Sequence, residues 1–183
     1  MAEASDDVLM LALRDGELAA FDALFRRHYE SVRALCSRVT GTPSVGEDLA
    51  QETFLRVLRH RATFRGDARF TTWLYRIAHN LCLEQLSRQA RDRRLVERWS
   101  VDAEAARVPD RSEHLDQLEA ALAALTPEQR EIIVLCRFQD LPFVEIGEIL
   151  GCTAGAARVR AHRAIAALRE AYLTLDRKVR AGA

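Results

Sequence analysis

The chain has 183 residues, enough for one large domain or two small ones, and its 49% hydrophobic content is typical of a folded protein. Its 27 basic side chains are balanced by 27 acidic ones, which argues against a protein that binds polyanions indiscriminately. Only 4 prolines and 8 glycines interrupt a sequence dominated by Ala, Leu, Arg and Glu, which are good helix formers. We therefore predict an all-α fold.

Apolar residues that recur at steps of three and four predict four helices in the first half of the chain. Ser5, followed by two aspartates, is a favourable start for the first helix, and Gly41 with Pro43 ends the second. The segment from Phe64 to Asp67 interrupts the pattern and is predicted to be a loop. The expected bounds of the four helices are Ser5 to Asp15, Leu18 to Val39, Ser44 to Arg61 and Thr71 to Arg94.

The apolar pattern fades between Arg91 and Ser112, where the chain is polar, acidic and interrupted by Pro109. We interpret residues 95–112 as a flexible acidic linker between two small helical domains. The N-terminal domain, a helical bundle, is expected at residues 1–94, and the C-terminal domain at residues 113–183.

The second half of the chain has clearer helix boundaries. Thr126 and Pro127, with Gln129 at the third helical position, predict a capping box at the start of a helix that continues to Phe138. Three more helices are expected over Leu115 to Leu125, Pro142 to Gly151 and Ala154 to Lys178.

The segment from Phe143 to His162 predicts a helix-turn-helix. Gly147 is small where two helices would cross closely, and Gly151 suits the left-handed backbone of a tight turn. Arg158 and His162 are four residues apart and would project from one face of a helix that can lie in the major groove. The alternative is an ordinary helical hairpin with a solvated arginine face.

Charge is unevenly distributed along the chain. Residues 65–98 carry 8 basic and 4 acidic side chains, and residues 152–183 carry 7 and 2. Between them, residues 99–131 carry 3 basic and 8 acidic side chains. Two separate contacts with phosphate backbones would need this arrangement, although chance clustering on solvated helix faces would produce it too.

The segment from Phe70 to Asn80 interleaves aromatic residues with Arg76 and an amide, next to a basic loop that contains Gly66. Aromatic faces stack on unstacked bases, and Arg and Asn donate hydrogen bonds to base edges. Aromatic residues at helical spacing are more often core residues, and we expect Trp73 to help form the core.

Four motifs follow one another along the chain: Asp48–Arg56, Phe70–Asn80, Leu125–Glu131 and Glu145–Gly151. In this order and spacing they resemble the extracytoplasmic-function class of bacterial RNA polymerase sigma factors. The resemblance extends from about Leu18 to Tyr172. It implies a protein without catalytic activity that binds core RNA polymerase, directs it to promoters and assists strand opening. It also implies control by an anti-sigma factor.

The resemblance implies three contact surfaces. The first docks on the clamp helices of the largest polymerase subunit through Asp48, Gln51, Glu52 and Phe54, although solvation alone would explain this acidic face. The second captures non-template bases of the minus-ten element through Phe64, Arg65, Arg69, Arg76 and Asn80. The third reads the duplex minus-thirty-five element through Arg158, Arg160, His162 and Arg163.

Two other classes of protein compete with this interpretation. A helix-turn-helix regulator with an N-terminal dimerisation domain would bind duplex DNA alone, but it does not explain the basic and amide groups of residues 64–80. A carboxylate-bridged metal enzyme needs a Glu three residues before a His, and none of the five histidines has one. The sequence also lacks P-loop, GxSxG and HExxH motifs, and we expect neither a cofactor nor a metal.

The cysteines and the N-terminus indicate the cellular compartment. Cys36, Cys82, Cys136 and Cys152 form no CxxC pair and stand among apolar residues, as buried reduced thiols do. The N-terminus lacks a signal-peptide pattern, and no apolar run approaches the roughly 18–20 residues of a membrane span. We expect a cytoplasmic protein that does not insert into membranes.

Overall fold

The computed structural model describes residues 4–96, 113–137 and 139–181. These residues form eight α-helices and one 3-10 turn, Arg61–Thr63, with no strand among them, which confirms the all-α prediction. The helices are α1 Asp6–Arg14, α2 Ala19–Thr40, α3 Pro43–His60, α4 Phe70–Val96, α5 Glu113–Ala123, α6 Pro127–Arg137, α7 Phe143–Leu150 and α8 Ala154–Ala181. Most of the predicted linker and the predicted helix end at Phe138 lie outside the described residues.

Helix ends are set by local side chains. The Ser5 hydroxyl accepts a hydrogen bond from the Val8 amide over 3.4 Å at the start of α1. Thr126 and Gln129 form the predicted capping box: the Thr126 amide donates to Gln129 Oε1 over 3.0 Å, and the Gln129 amide donates to Thr126 Oγ1 over 3.3 Å. Each bond satisfies a backbone amide at a helix start, where the helix itself supplies no acceptor.

An aromatic cluster fills the N-terminal half of the molecule, which comprises α1 to α4. The Phe54 ring of α3 lies 4.9 Å from the Phe25 ring and 6.2 Å from the Phe21 ring, both on α2. Helices α2 and α3 approach closely at Gly46, where a Cβ would lie 2.1 Å from the Ser37 hydroxyl. Burying each large apolar side chain contributes about 1.5–3 kcal/mol.

Helices α5 to α8 form the C-terminal half, and α8 packs against α5, α6 and α7. The packed face of α8 is a row of small residues, Ala157, Ala161 and Ala164, with exposures of 0%, 2% and 0%. Because alanine side chains are short, the neighbouring helices can approach α8 closely.

The two halves share one hydrophobic core. Helix α6 packs against α2, and α7 packs against α4. Buried residues of α6 and α7, such as Ile132 and Ile146, belong to the same cluster as Leu35 and Tyr75 of the N-terminal half. We call this contact of α2 and α4 with α6 and α7 the internal interface. It was not anticipated from the sequence.

The four cysteines are free thiols. Cys36 and Cys82 are buried, as predicted, whereas Cys136 and Cys152 are half-buried. A hydrogen bond with Cys36, together with burial, raises the pKa of the Cys82 thiol. Because the thiolate is the reactive form, this raised pKa makes Cys82 a poor nucleophile.

None of the helices within the described ranges combines the length and the apolar character that a membrane span requires. Across the same ranges, no three His, Cys, Asp or Glu side chains come together as a set of metal ligands.

Candidate nucleic-acid interface

Helices α7 and α8 form the predicted helix-turn-helix. Gly151 ends α7 in the left-handed conformation, with φ of 64°. The Thr153 hydroxyl then accepts a hydrogen bond from the Ala156 amide over 3.2 Å and caps α8. All four predicted minus-thirty-five residues are exposed on the first turns of α8: Arg158, Arg160, His162 and Arg163.

Arg158 is held by an aromatic ring from the preceding helix. Its guanidinium carbon lies 5.5 Å from the centre of the Phe143 ring, which is within the range of a cation–π contact. Phe143 itself packs against the hydrophobic core. The contact therefore restricts where Arg158 can place its hydrogen-bond donors, and sequence reasoning did not identify Phe143 in this role.

A second polar face lies on α4. Arg76 and Asn80 are both exposed and are one helical turn apart, so they project from the same side of the helix. Arg65 is exposed in the loop between the 3-10 turn and α4. The structure thus places these three predicted minus-ten residues at the surface.

The first turn of α4 is anchored by α1. The Phe70 amide, at the start of α4, donates a hydrogen bond to the Asp7 carboxylate over 2.6 Å.

The neighbouring Asp6 joins α1 to α2. It accepts hydrogen bonds from Arg27 and His28 of α2, each over 2.7 Å. Although partial burial acts to raise the pKa of Asp6, these hydrogen bonds outweigh it and lower that pKa.

Arg69, also predicted to bind minus-ten DNA, has a partner within the chain. Its Nη1 lies 3.3 Å from Glu145 Oε1 of α7, although 71% of the Arg69 side chain is exposed. The same Glu145 carboxylate accepts a hydrogen bond from the buried Thr72 hydroxyl over 2.8 Å.

The structure contradicts the prediction that Phe64 belongs to the minus-ten surface. Its side chain is only 3% exposed and packs edge-on against the rings of Phe70 and Trp73. A buried ring has no free face on which a base can stack. The structure therefore assigns Phe64 to the core, and Trp73 is packed against that core as expected.

The predicted polymerase surface lies on α3. Asp48 and Gln51 are exposed on one face, and Leu55, one turn further on, is 46% exposed. Glu52 is half-buried, and its Oε1 lies 3.2 Å from Arg56 Nε and 3.3 Å from Arg59 Nη1. Arg56 also pairs with Glu84 of α4, which joins the two helices.

The structure also contradicts the prediction that Phe54 belongs to the polymerase surface. It is 2% exposed and lies in the aromatic cluster between α2 and α3, so its ring is not available to a partner. The exposed apolar residue of this face is its neighbour Leu55. The helical period could have revealed this, because Ala50, Phe54 and Val57 recur on the buried side.

Two family models match the chain, one in each half. Residues 24–92 match the family model for Sigma-70 region 2, and residues 115–168 match that for Sigma-70, region 4. The chain is 37% identical to the RNA polymerase sigma factor CarQ of Myxococcus xanthus over 93% of this chain and 99% of that protein. The ECF RNA polymerase sigma factor SigE of Mycolicibacterium smegmatis is 37% identical over 92% of this chain and 69% of that protein.

The chain belongs to the extracytoplasmic-function (ECF) sigma factors. Among solved structures, the fold is shared with the sigma factor RpoE in complex with the anti-sigma factor NepR from Bartonella quintana. That comparison gives a TM-score of 0.71 at 24% identity and covers 85% of this chain and 98% of RpoE. The comparison with CnrH in complex with the cytosolic domain of CnrY gives a TM-score of 0.68 at 26% identity. It covers 93% of this chain and 98% of CnrH.

Proposed function

We propose that this sigma factor binds core RNA polymerase, directs it to specific promoters and assists DNA strand opening without catalysing a reaction itself. The observation that carries the proposal is a pair of exposed polar faces, one around Arg158 on α8 and one around Arg76 on α4. Each face lies in a segment that matches a sigma-factor region.

The α8 face is proposed to read the duplex minus-thirty-five element. An arginine can donate two hydrogen bonds to the major-groove edge of guanine, and other arginines bind phosphates. Arg158 and His162 project together from the first turns of α8, and Arg160 and Arg163 are also exposed. We assign Arg158 to a base edge because its guanidinium is restrained by Phe143.

The α4 face is proposed to bind the opened minus-ten element. Unpairing a base costs a few kcal/mol, and a protein that binds the separated strand but not the duplex shifts that equilibrium. Arg76 and Asn80 supply hydrogen-bond donors for base edges, and Arg65 and Arg69 supply positive charge for the backbone. Two weak sites gain affinity from being joined in one chain and held on polymerase.

Docking on polymerase is assigned to the α3 face around Asp48, Gln51 and Leu55. An exposed leucine ringed by polar and charged groups has the composition of a protein-binding surface, with an apolar centre and a polar rim. Arg56 ties this face to α4, so contact with polymerase would also position the minus-ten surface.

We also propose a cytoplasmic location and control by an anti-sigma factor. CnrH, which resembles this chain at 26% identity, was solved in complex with the cytosolic domain of CnrY. Exposed apolar side chains such as Leu18 and Leu173, 65% and 45% exposed, offer further protein-binding positions. Affinity purification from the native host should recover one inhibitory protein, and its repeated absence would refute this part of the proposal.

The proposed polymerase contact is tested by co-elution with core RNA polymerase on a size-exclusion column. The wild-type protein should co-elute, and the double variant Asp48→Ala, Gln51→Ala should not. Glu17→Ala, which removes an exposed acidic residue between α1 and α2, is the control and should co-elute. A wild-type protein that binds duplex DNA but never co-elutes with core would favour a helix-turn-helix regulator instead.

A further inference from the structure

The exposed face of α8 that carries the proposed minus-thirty-five residues also contains an apolar side chain. Val159 is 50% exposed and stands between Arg158 and Arg160 in the sequence. An isolated valine at a protein surface, such as Val8 of α1, which is 56% exposed, is ordinary. Val159 differs because basic side chains flank it, which is the setting of a nucleic-acid surface.

Val159 points directly away from the rest of the protein. Successive residues of an α-helix are rotated by about 100°, so Val159 lies about 200° around α8 from Ala157. Ala157, with Ala161 and Ala164, forms the buried row on the side of α8 that packs against α5, α6 and α7. Val159 is therefore at the centre of the opposite face, which is exposed to solvent.

The basic residues are arranged around Val159 on this face. His162 and Arg163, three and four residues later, lie on either side of it on the next turn. Arg158 and Arg160 project from the two edges of the face, each rotated by about 100° from Val159. Long side chains at these edges can reach base edges or phosphates. The centre of the face would lie nearest the floor of a groove that α8 enters.

The turn of α8 that precedes Val159 can approach DNA closely. Gly155 lies four residues earlier on the same face and has no side chain. Among the described residues, a Cβ on Gly155 would meet Thr153 Oγ1 alone, at 4.0 Å, so their packing does not require glycine at this position. Because this turn is bare, the short side chain of Val159 can reach base edges at the floor of the major groove.

The chemistry of valine favours one base over the others. Thymine is the base that presents a methyl group in the major groove, at its C5 position. Valine has neither a donor nor an acceptor, so against a polar base edge it would leave a hydrogen-bonding group without a partner. Its branched side chain has one strongly preferred rotamer in a helix, so little conformational freedom is lost when it packs against a methyl group.

We propose, on the basis of the proposed function, that Val159 contacts the 5-methyl group of a thymine in the minus-thirty-five element. This contact selects thymine at one position of the element, while the surrounding basic residues bind phosphates and other base edges. Val159 is thus a specificity-determining residue, in addition to the four exposed basic residues of the same face.

The test removes each side of the proposed contact separately. Deoxyuridine lacks the 5-methyl group of thymidine, and it replaces each minus-thirty-five thymine of either strand in turn, in a duplex of the protein's own promoter. Val159→Ala removes the valine methyl groups and should preserve α8, because alanine is the better helix former. Val8→Ala, at an exposed valine on α1, is the matched control. Fluorescence anisotropy gives the affinity of each labelled duplex for the full chain assembled on core RNA polymerase.

We expect deoxyuridine at one position to weaken binding to the wild-type complex about fourfold, as expected for the loss of one buried methyl group. The same replacement should not affect binding to the Val159→Ala complex, whereas the Val8→Ala complex should respond as the wild type does. Val159→Ala removes no charge and should leave the salt dependence of binding unchanged, whereas Arg163→Ala should reduce it.

The failure of this inference can be distinguished from the failure of the proposed function. Promoter binding that no deoxyuridine weakens, or a methyl effect that persists in Val159→Ala, would overturn the assignment of Val159 and leave the proposed function standing. A wild-type complex that does not bind the promoter duplex at all would refute the proposed function, and the assignment of Val159 with it.

Discussion

The Cys152 amide donates a hydrogen bond to the Gly147 carbonyl over 2.8 Å, and a Cβ on Gly147 would lie 2.5 Å from the Cys152 carbonyl oxygen. The turn between α7 and α8 therefore folds back onto Gly147 so closely that only glycine fits. This contact fixes the angle at which α8 leaves the turn, and so the direction in which Arg158 and His162 point.

Gly147→Ala should destabilise the protein by about 1–3 kcal/mol, because the added methyl group must displace backbone atoms. The control is Gly155→Ala in the first turn of α8, where a Cβ would meet only Thr153 Oγ1 at 4.0 Å. It should leave stability unchanged or raise it by up to about 1 kcal/mol, since alanine favours a helix. Urea unfolding measures both, and equal losses would contradict the close approach at Gly147.

Phe143→Leu should weaken binding to minus-thirty-five duplex DNA about two- to fivefold, the equivalent of a cation–π contact of about 0.5–1 kcal/mol. Leucine retains apolar packing against the core, so the fold should persist. Fluorescence anisotropy with a labelled promoter duplex gives the affinity. Val144→Ala, which alters the exposed neighbouring side chain, is the control, and equal effects of the two changes would argue against a positioning role for Phe143.

Asp6→Asn should make folding less sensitive to acid. The pKa of Asp6 is lowered in the folded state, so the unfolded chain takes up this proton at a higher pH than the folded protein does. Its contribution is complete above the ordinary aspartate pKa of about 3.9 and is lost as the pH falls through that value to the folded pKa.

Urea unfolding at pH 7 and at about pH 3 measures this difference. The variant should lose about 1 kcal/mol at pH 7, after allowance for solvent screening of this partly exposed group, and much less at the acidic pH. Glu17→Gln is a control at an exposed site. An equal loss at both pH values would contradict the ionised contact of Asp6 with Arg27 and His28.

Substitutions at the neighbouring residues Leu55 and Phe54 should have different effects on polymerase binding and on stability. Leu55→Ala should change the free energy of unfolding by less than about 0.5 kcal/mol, because its side chain is at the surface. It should nevertheless weaken core binding several-fold. Phe54→Ala should cost about 3–5 kcal/mol through loss of the aromatic cluster. Thermal unfolding and biolayer interferometry test the pair, and retained core affinity in Leu55→Ala would remove Leu55 from the docking surface.

Much of the fold could be predicted from local sequence. Capping residues act within one helical turn, so Ser5, the pair Thr126 and Gln129, and the turn glycine Gly151 correctly marked the helix ends. The exposed arginines of α8 followed from helical spacing in the same way. Phe64 was misassigned because it lies in a loop, where no periodicity distinguishes a buried ring from an exposed one.

The internal interface could not be predicted for a different reason. Thr72 and Glu145 are 73 residues apart, and His79 and Glu131 are 52 residues apart. Each is a polar residue that could equally well lie on a solvent-exposed helix face. Their pairing depends on how whole helices dock, which a single sequence does not encode in any local pattern.

Run-off transcription with core RNA polymerase tests the assignment of both promoter surfaces most directly. The template is the promoter region of the protein's own operon, either fully duplex or with the minus-ten region already unpaired. We expect a transcript that depends on this protein on both templates. Arg76→Ala with Asn80→Ala should reduce it mainly on the duplex template, whereas Arg158→Ala with Arg163→Ala should reduce it on both. A wild-type protein that yields no transcript from either template would contradict its role as a promoter-opening sigma factor.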